Sequence, residues 1–146
     1  MSQPRVLPPV TISSSEYDRL AWIANAGMMS RHAPPAAEML ADELVRATVV
    51  TPESIPPSVV TMHSRVEFRD DATRQVSRLT LVYPGEVDGD RQFVSVLTPI
   101  GAALIGLSEG QSIRWRTATS EWQSLTVLRV LAQPERAAAG RRPKEG

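Results

Sequence analysis

The sequence predicts an α+β protein, in which a short antiparallel helical hairpin (a short coiled coil) precedes an antiparallel sheet domain with one short helix. Apolar residues recur at helical spacing in the first third of the chain, and apolar and polar residues alternate from Val60 onwards. Prolines cluster between these two patterns. We therefore expect a hairpin at 11–50, a proline-rich linker at 51–57, a sheet domain at 58–133 and a disordered tail at 134–146.

Two helical stripes predict the hairpin. Residues 13–16 have the pattern of a capping box, in which the Ser13 hydroxyl accepts a free backbone N–H at the start of a helix. A second helix starts at the Pro34-Pro35 pair, because proline suits the first helical turn. Each helix spans about 14 residues, or about 21 Å. The first stripe contains Tyr17, Leu20, Ala24 and Gly27, and the second Ala37, Leu40, Ala41, Leu44, Val45 and Thr48.

The turn between the helices carries Met28, Met29, Ser30, Arg31 and His32, which we call the tip. Exposed methionines suit an adaptable binding surface. The alternative is that both methionines fold back against Trp22, and the sequence leaves the two interpretations open. His32 is expected to be a solvated residue of the turn.

Alternation with a period of two predicts the strands. Residues 60–69 and 77–83 are expected to form a hairpin around a polar turn at 70–74, followed by strands at 93–97, 113–116 and 122–131. Short turns join most of them, which predicts antiparallel pairing. A short helix is expected at 100–105, with Thr98 as its N-cap, Pro99 in its first position and Gly106 as a left-handed stop.

Composition excludes several classes of function. The chain has 146 residues, about one domain, and 16 Lys and Arg balance 16 Asp and Glu, so naked nucleic acid is not expected as the main partner. The chain lacks cysteine and has two histidines, which excludes thiol catalysis and a histidine-rich metal site. No apolar run approaches the roughly 20 residues of a membrane span or forms a signal segment. We expect a cytoplasmic protein without membrane contact.

Residues with catalytic or metal-binding chemistry are few. The sequence contains no GxGxxG, GxxxxGK[ST], HExxH or GxSxG motif. His63 falls on the polar face of the first predicted strand, where a surface role is expected. Glu86, Asp88 and Asp90 have the alternate spacing of a calcium loop but lack its terminal glutamate, so a solvated loop is the simpler interpretation. We predict no catalytic residue, no metal site and no cofactor.

Four segments resemble the Rnk family (regulator of nucleoside diphosphate kinase), which is related to the bacterial transcript-cleavage factors GreA and GreB. They are residues 60–69, residues 79–84, residues 95–107 and the Gly110-Gln111 pair. The string from Thr98 to Leu107 is the most specific part, and the resemblance covers about residues 11–133.

The resemblance implies an FKBP-like C-terminal domain and RNA polymerase as the partner of a monomeric protein. The hairpin would face the secondary channel of the polymerase, while the C-terminal domain would dock at the rim of this channel. We call the segment Leu97, Thr98, Pro99 and Ile100 the corner, and it matches the segment that touches polymerase in the larger family. Thr98 and Pro99 also suit a simple helix start.

The tip differs from that of the cleavage factors, which use acidic residues there to hold a metal ion against the RNA. Here the tip has no carboxylate, and the nearest acid is Glu38 in the second helix. The resemblance therefore implies a non-enzymatic regulator that binds polymerase and competes with Gre factors without stimulating cleavage. Two alternatives remain, a peptidyl-prolyl isomerase and a generic protein-interaction module. The scattered positions of Tyr83, Phe93, Trp115 and Trp122 do not favour an isomerase pocket.

Overall fold

The computed structural model describes residues 7–87, 89, 92–117 and 119–134 and confirms the α+β class. Asp88, Asp90 and the predicted tail from residue 135 onwards lie outside the described residues. The regular elements, in chain order, are β1 (Thr11–Ser13), α1 (Ser14–Met28), α2 (Pro35–Val45), β2 (Thr48–Val50), β3 (Arg65–Asp70), β4 (Val76–Val82), β5 (Phe93–Ser95), α3 (Pro99–Leu104), β6 (Ser112–Arg116) and β7 (Trp122–Ala132).

The helical hairpin forms as the capping residues predict. The Ser13 hydroxyl accepts a hydrogen bond from the Ser15 N–H at 3.2 Å, and α1 runs from there to Met28. Glu16 also ties the hairpin to the rest of the chain, because its Oε1 accepts the Met62 N–H at 3.4 Å. The helix α2 begins at Pro35, in the first-turn position that tolerates proline.

The stripe predicted for α2 is wrong at its C-terminal end. Val45 is 86% exposed and Thr48 belongs to β2, which pairs in parallel with β1. The helix ends there because the Thr48 N–H bonds the Val10 carbonyl at 2.8 Å instead of a helical carbonyl. The Arg46 guanidinium joins the same two segments, since it donates hydrogen bonds to the Pro8 carbonyl and to Glu43. Two three-residue strands carry no periodicity of their own, so the sequence gives no signal for this pair.

The main sheet has five strands in the order β5-β4-β3-β7-β6. Its pairs are antiparallel as predicted, except that β5 lies parallel to β4. A parallel neighbour needs a crossover rather than a tight turn, and the chain between Val82 and Phe93 supplies it.

The first strand of this sheet starts at Arg65, so the prediction that it begins at Val60 is wrong. Val60 and Met62 are buried as expected, but the backbone of this segment bonds to other partners. The Val60 carbonyl accepts the Gly106 N–H, and the Thr61 N–H bonds Ser64 Oγ at 2.9 Å. His63 has a φ of 66°, which interrupts an extended strand.

One hydrophobic core joins the hairpin to the sheet. Leu20 of α1 and Leu40 of α2 are fully buried in the same cluster as Leu81, Leu104 and Val127 of the sheet domain. The division of the chain at residues 51–57 stays a prediction, and the core is continuous across that boundary. The orientation of the hairpin is therefore set by packing.

Candidate functional site

The corner is a rigid turn between β5 and α3. Thr98 Oγ1 donates a hydrogen bond to the Ser95 carbonyl at 2.7 Å and accepts the Gly101 N–H at 3.1 Å. Pro99 follows at the first helical position, and Gly106 has the left-handed φ of 80°. The predicted cap, helix and stop are therefore confirmed.

Close packing holds α3 against the strand before it. A Cβ on Gly101 would lie 2.2 Å from the Ser95 carbonyl oxygen, so only glycine fits this contact. The corner consequently presents a fixed surface. Pro99 and Ile100 are exposed, whereas Leu97 and Thr98 are half-buried.

The tip is open to solvent. Met29 is 86% exposed and Met28 is 40% exposed, so the interpretation in which both methionines fold back against Trp22 is wrong. Ser30, Arg31 and His32 are exposed as well. Glu38 is exposed in the first turn of α2. Within the described parts of the chain, no group of three or more His, Cys, Asp or Glu could hold a metal ion.

The structure brings one end of the hairpin against the corner. A methyl group on Gly27 would lie 3.8 Å from Leu97 Cδ2 and 2.8 Å from Ala37 Cβ. Gly27 is therefore the point where α1, α2 and the corner meet. The helix α1 follows the sheet domain almost to its own last residue, Met28.

An apolar groove of about 420 Å³ opens between α1 and the corner. One wall is a face of α1 with residues three or four positions apart, and the other wall is the turn after β4 together with Leu97. We call this space the groove; its lining residues are Arg19, Trp22, Ile23, Ala26, Gly27, Tyr83, Pro84, Gly85 and Leu97. Trp22 is 72% exposed, a high value for so large an apolar side chain.

Polar groups hold the wall of the groove around Tyr83. The Arg19 guanidinium lies 3.6 Å from the centre of the Tyr83 ring, in cation–π geometry. Glu86 Oε1 accepts the Tyr83 N–H at 2.9 Å and lies 2.8 Å from His63 Nε2. The hydrogen bond from the Tyr83 N–H is the main cause of a lowered pKa for Glu86. Partial burial acts in the opposite direction, and the neighbouring His63 and Arg19 lower this pKa further.

Glu86 therefore has a structural partner in His63, and the predicted surface position of His63 is confirmed, because its side chain is 43% exposed. The sequence did not indicate the groove. Trp22 lies outside the predicted apolar stripe of α1, and a large apolar residue on the polar side of an amphipathic helix is the signal that could have found it.

The chain resembles known proteins over nearly all of its length. A family model described as Rnk N-terminus matches residues 8–50, and one described as Transcription elongation factor, GreA/GreB, C-term matches residues 55–132. A regulator of nucleoside diphosphate kinase from Escherichia coli strain K12 is 44% identical over 134 residues, which are 89% of this chain and 94% of that protein.

Other relatives are named as elongation factors. A transcription elongation factor GreA from Prosthecochloris aestuarii is 32% identical over 77 residues, which are 51% of this chain and 48% of that protein. A solved structure, a prokaryotic transcription elongation factor GreA/GreB from Nitrosomonas europaea, is 38% identical with a TM-score of 0.66 and covers 86% of this chain and 99% of that one.

The α+β fold and these matches define a Gre-type transcription regulator. Within that class, the chain belongs to the Rnk family, because its N-terminal segment matches the Rnk model and 89% of its length matches a regulator of nucleoside diphosphate kinase. These relatives are named regulators and transcription factors rather than enzymes. Among the described residues, no helix is long and apolar enough to cross a membrane.

Proposed function

We propose that this protein binds RNA polymerase at the rim of the secondary channel and competes there with Gre-type cleavage factors without stimulating transcript cleavage. Membership of the Rnk family and the resemblance to GreA factors support polymerase as the partner. The observation that carries the proposal is the exposed tip without a carboxylate, which follows Gly27 at the end of α1, where the helix lies beside Leu97 of the corner.

The charge of the tip opposes cleavage chemistry. Metal-assisted hydrolysis of RNA needs ligands that attract a divalent cation, and carboxylates supply them. The tip carries Arg31 instead. Like charges about 4 Å apart cost about 1–4 kcal/mol between the dielectric of water and that of a protein surface. Such a tip repels magnesium rather than recruiting it.

The length of the hairpin gives an independent argument. The helix α1 has 15 residues, or about 22 Å, and α2 has 11. Contacts with the sheet domain run along most of α1, from Glu16 beside Met62, through Arg19 over Tyr83, to Gly27 beside Leu97. Gly27, the last residue of α1 but one, still lies beside Leu97 of the corner, so a domain docked at the rim would leave the tip near the channel entrance.

A cleavage assay tests the proposal. The protein is added to a backtracked elongation complex with labelled RNA, first alone and then together with a Gre-type cleavage factor. We expect the RNA 3′ end to stay intact with the protein alone. Together with the cleavage factor, the protein should slow cleavage in a dose-dependent manner. Cleavage by the unmodified protein would contradict both the charge argument and the length argument.

Restoring acids at the tip separates these two arguments. The double variant Ser30→Asp, His32→Glu should not restore full cleavage, because the reach of the hairpin is unchanged. Full cleavage by this variant would show that charge alone prevents the reaction.

The corner is tested by binding to core polymerase. Pro99→Ala should leave the melting temperature nearly unchanged and weaken binding, because Pro99 is exposed at the first position of α3. Pro52→Ala is the matched control, since Pro52 also begins a short helical turn, at 52–54, in the linker. Equal binding by both variants would make the corner purely structural. An isomerase assay on a proline-containing peptide should show no activity.

A further inference from the structure

We infer that the groove between α1 and the corner receives one large apolar side chain of RNA polymerase, flanked on the polymerase by a carboxylate that faces Arg19. This inference rests on the proposed function and specifies its contact surface. The corner alone offers little area, whereas the groove provides a concave apolar surface beside it.

The size and lining of the groove suit an apolar side chain. Its volume of about 420 Å³ is enough for a large side chain and part of its neighbours. Its walls are mostly apolar, and Arg19 is the charged residue among those that line it.

Trp22 is the most exposed of the large apolar side chains that line the groove. It is 72% exposed on the wall formed by α1, and tryptophan is strongly enriched among the residues that dominate binding energies at interfaces. Leu97 belongs both to the groove and to the corner, so the two form one continuous surface. A partner that touches Pro99 and Ile100 can therefore also cover Trp22.

The positive charge of Arg19 indicates which polar group the partner presents. Arg19 is exposed at the border of the groove, where its guanidinium is held against the Tyr83 ring. The salt bridges found among the described residues do not include Arg19, and the nearby Glu86 carboxylate is already bonded to Tyr83 and His63. A carboxylate on the partner would complement this cation.

Filling the groove tests the inference. Ala26 is exposed on the wall formed by α1, so Ala26→Phe should occupy the groove without disturbing the core. We expect the Kd for core RNA polymerase to rise about 10- to 150-fold, the range that corresponds to burying one large apolar side chain. Asn25→Phe is the matched control, since Asn25 is also exposed on α1 but does not line the groove, and it should bind like the unmodified protein. Melting temperatures show that each variant is folded.

Three further variants make the test specific. Trp22→Ala should weaken binding, while Val45→Ala, at a residue that is also exposed but does not line the groove, should not. Arg19→Glu should weaken binding more at low than at high salt, because screening reduces the repulsion between the new carboxylate and that of the partner.

The outcomes distinguish the inference from the proposed function. If the unmodified protein does not bind polymerase, the proposed function fails and the inference fails with it. If it binds and Ala26→Phe binds equally well, only the inference is overturned. Sedimentation is measured in parallel: a dimer that Ala26→Phe dissociates would assign the groove to a second copy of the chain and would overturn the inference.

Discussion

Substituting Thr98 tests whether the corner owes its shape to a single side chain. In Thr98→Ala the Gly101 N–H loses its capping acceptor and the Ser95 carbonyl loses a donor. Loss of an N-cap side chain costs about 1 kcal/mol, and the second hydrogen bond contributes about 0.5–1.5 kcal/mol. We therefore expect a decrease of about 1.5–2.5 kcal/mol in the free energy of unfolding.

Thermal unfolding followed by circular dichroism measures this change. For a chain of about 150 residues, 1 kcal/mol shifts the Tm by about 2–4 °C, so Thr98→Ala should melt roughly 3–10 °C lower. Thr98→Ser is the control, because its hydroxyl can make both hydrogen bonds and should preserve most of the stability. If Thr98→Ala melts like the unmodified protein, the cap does not hold the corner and the reasoning is refuted.

Three further predictions concern stability. Gly101→Ala should lower the free energy of unfolding by about 1–3 kcal/mol, the usual cost of overpacking, because the new Cβ would lie 2.2 Å from the Ser95 carbonyl oxygen. Urea unfolding measures this change, and an unchanged stability would contradict the close contact. The folded protein lowers the pKa of Glu86, so its carboxylate stabilises the fold above its unfolded pKa, and this stabilisation is lost as the pH falls through the folded pKa. The Tm difference between Glu86→Gln and the unmodified protein should therefore be clear at neutral pH and vanish in acid. A difference that does not change with pH would contradict this. Asp71→Asn should cost about 1.5–3 kcal/mol, because the carboxylate accepts hydrogen bonds from two hydroxyls of β7, and an unchanged urea midpoint would contradict it.

Local chemistry explains which parts of the fold the sequence predicts well. The start of α1 at Ser13, the start of α2 at Pro35 and the whole of α3 follow from caps and prolines, which act within a few residues. These signals are strong because each satisfies backbone groups at a helix end. The corner could therefore be placed from its sequence alone.

The parts that the sequence did not predict depend on distant partners. The parallel pairing of β1 with β2 joins Thr11 to Thr48, and β5 pairs with β4 in parallel, neither of which leaves a local pattern. The alternation from Val60 to Phe68 indicates burial correctly, but the Val60 backbone pairs with the loop after α3, and the chain reaches Leu81 of β4 only at His63 and Ser64. Periodicity in the sequence predicts which residues are buried, but it does not predict which group a backbone N–H or carbonyl bonds.

The groove was missed for a related reason. Its two walls come from α1 and from the turn after β4, and only the packed structure brings Trp22 and Leu97 to the same surface. The sequence shows a tryptophan on the polar side of a predicted helix, but only the structure shows which residues face it across the groove. The position of the tip, in contrast, was predictable from the two helical patterns around it, whereas the exposure of its methionines was left open.

The backbone contacts of the N-terminal strand have a consequence for folding during synthesis. Thr11 pairs with Thr48, and its N–H also bonds the carbonyl of Gly106, which leaves the ribosome much later. The helical hairpin has local contacts and can form early, but its first strand cannot complete its hydrogen bonds until the segment around Gly106 has emerged. Contacts between residues so far apart in sequence form slowly, since loop closure must precede them. Residues 11–13 are thus made before the segment around Gly106 but reach their final place only after it.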